Sequence, residues 1–320
     1  MTDTLTGPET KGGESGGEST TTVIIAFFAN LAIAVAKTVV AMITGSASMM
    51  AESAHSWADT GNQVLLFIAD KRSRRSPDPQ HPYGYGREAY VWSMLAALGL
   101  FTAGAVVSVW HGATMLFEDS GESSYKWAYI VLAIAFVFEG ISFTQAFRQT
   151  RGEAKRYDRE LLDHALHTSD PTLRAVFAED SAALIGLVIA GLGILLHQLT
   201  GDAMYDALGS ILVGLLLGVV AIVLINQNRR FLAGQEADER LRVSAIEQVK
   251  AMPEVSRVTY MRLEFVGPRQ VLLVASVDLE GEEPESAVAY KLRDLEGRLE
   301  KDPSIIEAVL TLATPDDTSL

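Results

Sequence analysis

Residues 46–63 read SASMMAESAHSWADTGNQ, and this stretch decides how the rest of the chain is interpreted. It lies between an apolar run that ends at Gly45 and a basic cluster that begins at Lys71. Within it, His55 and Asp59 are four residues apart, so on a helix their side chains share one face. An imidazole and a carboxylate one turn apart can bind one divalent metal ion. In a membrane span such a pair marks an ion pathway, because ionisable groups are costly there.

The chain contains six apolar runs, each with the length of about 20 residues that a helix needs to cross a hydrocarbon core. The runs lie near 22–44, 47–69, 88–117, 127–147, 172–197 and 204–226. They predict a polytopic α-helical membrane protein with six transmembrane helices, which occupy residues 22–230. Residues 1–21 are rich in Gly, Thr, Ser and Glu, and they predict a disordered tail without the features of a signal peptide.

Basic residues follow the second, fourth and sixth runs, whereas the other connections hold only Lys126. They are Lys71, Arg72, Arg74, Arg75 and Arg87, then Arg148, Arg151, Lys155, Arg156 and Arg159, then Arg229 and Arg230. By the positive-inside rule, both termini face the cytoplasm of a multi-pass protein, and we expect the plasma (inner) membrane.

The composition also excludes several classes of protein. The chain has no cysteine, so it has no disulfides and no thiolate metal sites. Its net charge of −14 gives no support for nucleic-acid binding. No nucleophile–base set and no nucleotide-binding loop occurs, so we expect neither an enzyme nor a bound cofactor.

Residues 231–320 predict a small soluble α+β domain in the order α-β-β-α-β. Apolar residues recur at helical spacing between Glu239 and Met252, and Pro253 ends that helix. Extended segments follow at 255–266 and 271–279, then a helix from Pro284 and a last strand at 305–313. Because the domain lacks His and Cys, we interpret it as a dimerisation or regulatory module.

Three acidic positions are predicted to lie at one depth in the membrane. Asp59 lies 12 residues before Lys71, Glu139 lies 9 before Arg148, and Asp180 lies 10 after Asp170. At about 1.5 Å per residue, all three are roughly 13–18 Å from the same membrane face. Carboxylates at a shared level, with His55 one turn away, predict one cation site.

Other polar residues are expected to have structural roles or to bind a metal ion only weakly. Lys37 in the first run is expected to snorkel or to pair structurally, and Glu52 lies three residues before His55 on a similar face. In the loop after the second run, Asp78 and His81 could together bind a metal ion weakly. Asp206 opens the sixth run as a helix-start or interface group.

The motifs together resemble the cation diffusion facilitator family. They are GSASMMAESAHSWADT in the second run, HPYGYGRE before the third, EDSAALIGLVIAG in the fifth and DALGSILVG opening the sixth. Stretches HSWADTGNQ and SPDPQHPYG resemble the branch that includes the animal mitochondrial zinc transporter. The resemblance implies six transmembrane helices, a ferredoxin-like cytoplasmic domain, and a homodimer in the lipid membrane that exchanges a divalent cation, most often zinc, for protons.

The resemblance also implies which residues bind the ion. Family members use a His/Asp-x-x-x-Asp pair in the second span and a His-x-x-x-Asp pair in the fifth. His55, Asp59 and Asp180 match, but Val176 stands where the fifth-span His would be. Glu179 or Glu139 could replace that His; Glu179 needs a favourable helix twist, because it is next to Asp180 in sequence. In the loop, Tyr85 replaces a second His.

Such a nitrogen-poor site allows manganese, iron(II) and cobalt(II) as well as zinc. Metal ions and protons compete for this site. If the site is exposed alternately to the inside and the outside, this competition results in antiport. Two other hypotheses stay open: a non-transporting regulatory membrane subunit of the same fold, and a proton-coupled exporter of organic cations.

Overall fold

The computed structural model describes residues 20–117 and 125–320. The predicted disordered tail lies outside these residues, except that Thr20 and Thr21 already belong to the first helix. The described residues form two compact units. One consists of 20–70 and 91–229, and the other consists of 71–90 and 230–320.

The first unit is helical. Its helices are α1 (Thr20–Thr44), α2 (Ala47–Ser73), α3 (Glu88–Ala96), α4 (Thr102–Met115), α5 (Lys126–Arg156), α6 (Leu161–His167), α7 (Pro171–Thr200) and α8 (Met204–Leu232). Three of these helices, α2, α3 and α8, extend a few residues past the bounds of the unit. A π-helical segment, Ala97–Phe101, joins α3 to α4 without a break.

Among the described helices, five are long and apolar enough to cross a membrane. They are Phe27–Thr44, Glu88–Met115, Lys126–Arg156, Pro171–Thr200 and Met204–Leu232. The remaining predicted run, the second at 47–69, corresponds to α2, which has the length but not the apolar composition, because polar and ionisable side chains line its buried face. Five of the six predicted runs are therefore confirmed as apolar helices.

Local chemistry explains where these helices begin and end. Asp170 accepts hydrogen bonds from the backbone N–H groups of Thr172 (3.0 Å) and Leu173 (3.2 Å), and Pro171 occupies the first turn, as predicted. Helix α5 continues to Arg156, nine residues beyond the predicted apolar run at 127–147. Hydropathy marks the part of a helix that suits the membrane core, and it gives no signal for a charged extension.

Small residues let the helices approach closely. A Cβ atom on Gly214 of α8 would lie 2.8 Å from Val109 Cγ2 and 2.9 Å from the carbonyl oxygen of Ala105 on α4. Gly209 likewise faces Ser48 of α2 with no room for a side chain. The glycine pattern of the sixth run therefore serves close packing, as its spacing predicts.

The second unit contains the predicted α-β-β-α-β domain. Its elements are α9 (Glu239–Lys250), β1 (Val255–Gly267), β2 (Gln270–Leu279), α10 (Glu285–Leu299) and β3 (Ile305–Leu312). The sheet order is β1-β2-β3; β1 pairs with β2 in antiparallel fashion, and β2 pairs with β3 in parallel. Both helices and all three strands contribute to one hydrophobic core.

The loop at 71–90 is part of this second unit. A Cβ atom on Gly86 would lie 2.7 Å from Gly267 Cα, so the two glycines allow the loop to contact the end of β1. Arg87 donates a hydrogen bond to Glu264 at 2.8 Å, and the ring of Tyr90 stacks on Phe231. This contact between distant segments has no signature in the local sequence.

Candidate functional site

The centre of the site is the polar face of α2. Glu52, His55, Asp59 and Asn62 are separated by three, four and three residues, so they lie along one side of the helix. Glu52, His55 and Asn62 are buried, and the side chain of Asp59 is 14% exposed. A continuous polar face inside an otherwise apolar helical unit can conduct or bind ions.

Asp206 of α8 holds the beginning of this helix. Its carboxylate accepts hydrogen bonds from Ser46 Oγ (2.9 Å) and from the backbone N–H groups of Ala47 (2.7 Å) and Ser48 (3.1 Å). These N–H groups have no partner within the helix, so a carboxylate from another helix satisfies them. The prediction that Asp206 is a helix-start or interface group is confirmed, although the start that it caps belongs to α2.

His55 and Asp59 form the predicted pair. His55 Nε2 lies 3.4 Å from Asp59 Oδ2, and the imidazole is almost fully buried. Both ring nitrogens of His55 and the Oδ1 atom of Asp59 are buried without a hydrogen bond. Buried polar atoms are usually paired, so these atoms are available to a ligand.

The two adjacent acids of α7 turn toward different helices. Both carboxylate oxygens of Glu179 accept from Asn62 Nδ2 of α2, at 2.6 and 2.7 Å. Asp180 Oδ2 instead accepts from Ser142 Oγ of α5, at 2.8 Å. Glu179, rather than Asp180, is therefore hydrogen-bonded to the polar face of α2.

Glu139 of α5 belongs to the same group of charges. Asp59 interacts electrostatically with Glu139, Glu179 and Asp180, which come from two other helices. Lys37 interacts with Glu139 and forms an ion pair with Glu52 inside the protein, so it does not snorkel. The predicted acidic residues thus lie within electrostatic range of one another.

The part of the chain that the structure describes nevertheless does not present a complete metal site. Within residues 20–117 and 125–320, no three His, Asp or Glu side chains stand in an arrangement that could hold a metal ion. Val176 is partly buried against an apolar cluster that includes Ala58 and Ala182. Sequence reasoning missed Asn62 and Ser142; Asn62 could have been found from its position three residues after Asp59 on the same face.

The loop after α2 has its own hydrogen-bonded turn. Asp78 Oδ1 accepts from the backbone N–H groups of Gln80 (2.9 Å) and His81 (2.8 Å). Asp78 Oδ2 accepts from the Tyr85 hydroxyl at 2.6 Å, and the ring of His81 packs against that of Tyr85 at an interplanar angle of 30°. Tyr85, which stands where the family resemblance would place a second His, therefore hydrogen-bonds to the Asp78 carboxylate. These hydrogen bonds stabilise the turn.

We expect Tyr85→Phe to weaken this turn, and to do so most above pH 3.8. Hydrogen bonds, chiefly the one from Tyr85 and then those from His81 and Gln80, lower the pKa of Asp78 from 3.8 to about 2. A lowered pKa in the folded state stabilises the turn above pH 3.8 and loses that effect as the pH falls toward about 2. Without the hydroxyl this stabilisation is smaller, so the difference between the two proteins is largest above pH 3.8 and narrows toward pH 2. Hydrogen exchange of peptides covering 78–88 at pH 6 should show less protection in the variant, and equal protection in both proteins would contradict this.

The family model of the cation efflux transmembrane domain matches residues 23–233. Metal tolerance protein C4 of Arabidopsis thaliana is 36% identical over 234 residues, which cover 73% of this chain and 51% of that protein. The mitochondrial proton-coupled zinc antiporter SLC30A9 of Xenopus laevis is 36% identical over 238 residues, which cover 74% and 43%.

The human antiporter of the same name is 34% identical over 238 residues, which cover 74% of this chain and 42% of that protein. The chain thus spans about half or less of the length of these curated relatives.

Proposed function

Because the chain belongs to the cation efflux family, we propose that it moves a divalent metal cation, with zinc as the first candidate, out of a compartment in exchange for protons. Two relatives are named as proton-coupled zinc antiporters and one as a metal tolerance protein. This function requires no enzymatic step and no resident cofactor. The metal ion and the protons are its substrates.

The observation that carries the proposal is the buried pair of His55 and Asp59. Its imidazole nitrogens and one carboxylate oxygen have no hydrogen bond, although they are inside the protein. Both groups bind either a metal ion or a proton, and the two compete for the same electron pairs. Exposing that pair alternately to the two sides of the membrane would exchange one substrate for the other.

We propose that Asp180, Glu179 and Glu139 supply the remaining ligands or proton carriers. Asp180 matches the family's acidic position in the fifth span. Glu179 is supported by its hydrogen bonds to Asn62, which bring it to the face that carries Asp59. Glu139 is supported by its electrostatic interaction with Asp59. A small movement of α7 relative to α2 would be enough to gather these side chains around an ion.

We expect Glu139→Gln and Glu179→Gln to separate ligand from proton carrier. Loss of a ligand weakens metal affinity, by about ten- to a hundredfold for a group of this kind. Loss of a pure proton carrier leaves affinity intact and changes the pH dependence of transport. Calorimetric metal binding and pH-dependent flux measure the two effects. Glu153→Gln serves as the control, because Glu153 lies at the far end of α5 beside His164. Wild-type affinity and pH profile in both variants would leave His55, Asp59 and Asp180, with water, as the site.

We further propose that α2 spans the membrane with the five apolar helices, which makes six spans. Both termini then lie on the cytoplasmic side, where the basic residues of the loops favour them, and a plasma (inner) membrane is our working assignment. The α-β-β-α-β domain supports a ferredoxin-like dimerisation module, and its apolar core without His or Cys suits a homodimer that needs no metal.

The direct test is metal flux in proteoliposomes. Purified full-length protein is reconstituted, a pH gradient is imposed, and uptake of Zn²⁺, Mn²⁺, Fe²⁺ and Co²⁺ is measured against protein-free vesicles. We expect uptake that is driven by the gradient and accompanied by proton release from the vesicles. Metal uptake that does not depend on the pH gradient would contradict the proposed proton antiport. Uptake of an organic cation, without uptake of any metal, would contradict the proposed metal substrate.

A second candidate function is a non-transporting membrane subunit that regulates a partner. The observation that favours it is the missing fifth-span His, since Val176 packs in an apolar cluster instead of binding an ion. No flux of any metal through the reconstituted protein would favour this candidate.

A further inference from the structure

A fully buried lysine lies beside the polar face of α2. Lys37 Nζ donates a hydrogen bond to Glu52 Oε2 at 2.9 Å, and both side chains are 0% exposed. The pair joins α1 to α2 one helical turn before His55. Lys37 also interacts electrostatically with Glu139 and Asp59, two of the acidic residues of the site. The amino group of Lys37 therefore lies at the edge of the proposed ion site.

Glu52 uses only part of its carboxylate. Its second oxygen, Oε1, is buried and has no hydrogen-bond partner. A Cβ atom on Gly186 of α7 would lie 2.7 Å from that oxygen, so glycine is required there for Glu52 to keep its position. Two apolar residues would fill the same space at lower cost than a half-satisfied ion pair. Packing alone therefore does not account for these two charges.

We propose that Lys37 is a built-in counter-cation of the ion site, which Glu52 holds in place and which competes with the metal ion for the site's carboxylates. This inference rests on the proposed function and adds to it the residue that sets the ion affinity. In the metal-free site, the ammonium offsets part of the negative charge of Asp59 and Glu139. When a divalent cation binds, the ammonium repels it, and release becomes easier.

Glu52 is a positioning residue in this proposal. Its bonded oxygen keeps the ammonium at the edge of the site, one turn away from His55. Its unpaired oxygen provides a second acceptor, so Lys37 can shift along the carboxylate when the metal ion arrives without losing its partner. A buried lysine that lost its partner would be strongly unfavourable.

The test compares charge removal with charge retention at position 37. Full-length Lys37→Gln and Lys37→Arg are purified, Zn²⁺ binding is measured by calorimetry, and transport is measured in proteoliposomes. We expect Lys37→Gln to bind Zn²⁺ at least about tenfold more tightly, because a nearby positive charge is removed, and to turn over more slowly. Lys37→Arg keeps the charge, and its affinity should stay within about threefold of the wild type. Equal affinity in Lys37→Gln and wild type would overturn the inference.

The double variant Lys37→Gln/Glu52→Gln covers the case in which a single change prevents folding, because it leaves neither charge uncompensated. We expect it to bind Zn²⁺ more tightly than the wild type but less tightly than Lys37→Gln, because the ammonium that repels the metal ion and the carboxylate that attracts it are both removed. A double variant that binds and transports like the wild type would mean that the pair only joins α1 to α2, and the inference would be overturned. Thr60→Val is the matched control, since the Thr60 hydroxyl is buried on α2 and donates to the backbone carbonyl of Ser56 in the same helix.

The two proposals can fail separately. A wild-type protein that transports metal, with unchanged affinity in the Lys37 variants, overturns the counter-cation alone. A wild-type protein that neither binds nor moves Zn²⁺ overturns the proposed function and this inference together.

Discussion

Replacing Asp59 by asparagine is expected to abolish metal-dependent proton flux, with a loss of about a hundredfold or more. The asparagine side chain has the same size, so packing is kept while the negative charge and one acceptor oxygen are removed. Asp59 is the residue of α2 that interacts with the acids of both α5 and α7, so its loss affects every arrangement of ligands considered above. His55→Ala should abolish flux or change the preferred metal.

The measurement is a pH-sensitive dye inside proteoliposomes, with metal added outside. Ser56→Ala is the control, because Ser56 is a buried neighbour of His55 on α2 and its hydroxyl has no hydrogen bond to lose. We expect that variant to transport at close to the wild-type rate. Wild-type flux in both Asp59→Asn and His55→Ala would remove these two residues from the site.

The second large effect is on folding. Asp206→Ala should destabilise the protein by about 3 kcal/mol or more, because it removes an acceptor with three charge-assisted hydrogen bonds at the buried start of α2. Thermal unfolding in detergent, followed by intrinsic fluorescence, measures the change. We expect transport to fall in proportion to the loss of folded protein.

Asp202→Ala is the matched control for this variant. Asp202 lies just before α8, is exposed, and accepts one hydrogen bond from the backbone N–H of Met204 at 2.9 Å. Its removal is expected to cost about 1 kcal/mol, the usual value for a helix cap. If both variants unfold at the same temperature, the contact between Asp206 and α2 contributes little.

Much of the fold could be predicted because its signals are local. The α-β-β-α-β order and nearly all of its boundaries follow from alternation of apolar residues and from Pro253 and Pro284, and the structure agrees within a few residues. Asp170 and Pro171 likewise predict the start of α7 correctly. The short helix α6 and the π-helical segment at 97–101 were missed, since neither changes the hydropathy of its surroundings.

The site was predictable in part. His55 and Asp59 could be paired from their spacing, because a helix fixes the geometry of residues on one face. The partners of Glu179, Asp180 and Lys37 depend on how each helix is rotated relative to its neighbours, and spacing within one helix holds no record of that rotation. Only the three-dimensional structure assigns Asn62 to Glu179, Ser142 to Asp180 and Glu52 to Lys37.

The bond between Asp206 and Ser48 has a consequence for biosynthesis. The two residues are 158 positions apart, so α2 is synthesised long before the residue that caps it exists. At about 5–20 residues per second, the ribosome needs roughly 8–30 s to reach Asp206. During that interval the least apolar of the long helices has an uncapped start, and until α7 is made its Asn62 also lacks its partner Glu179. We therefore expect α2 to reach its final state only after α8 has been synthesised.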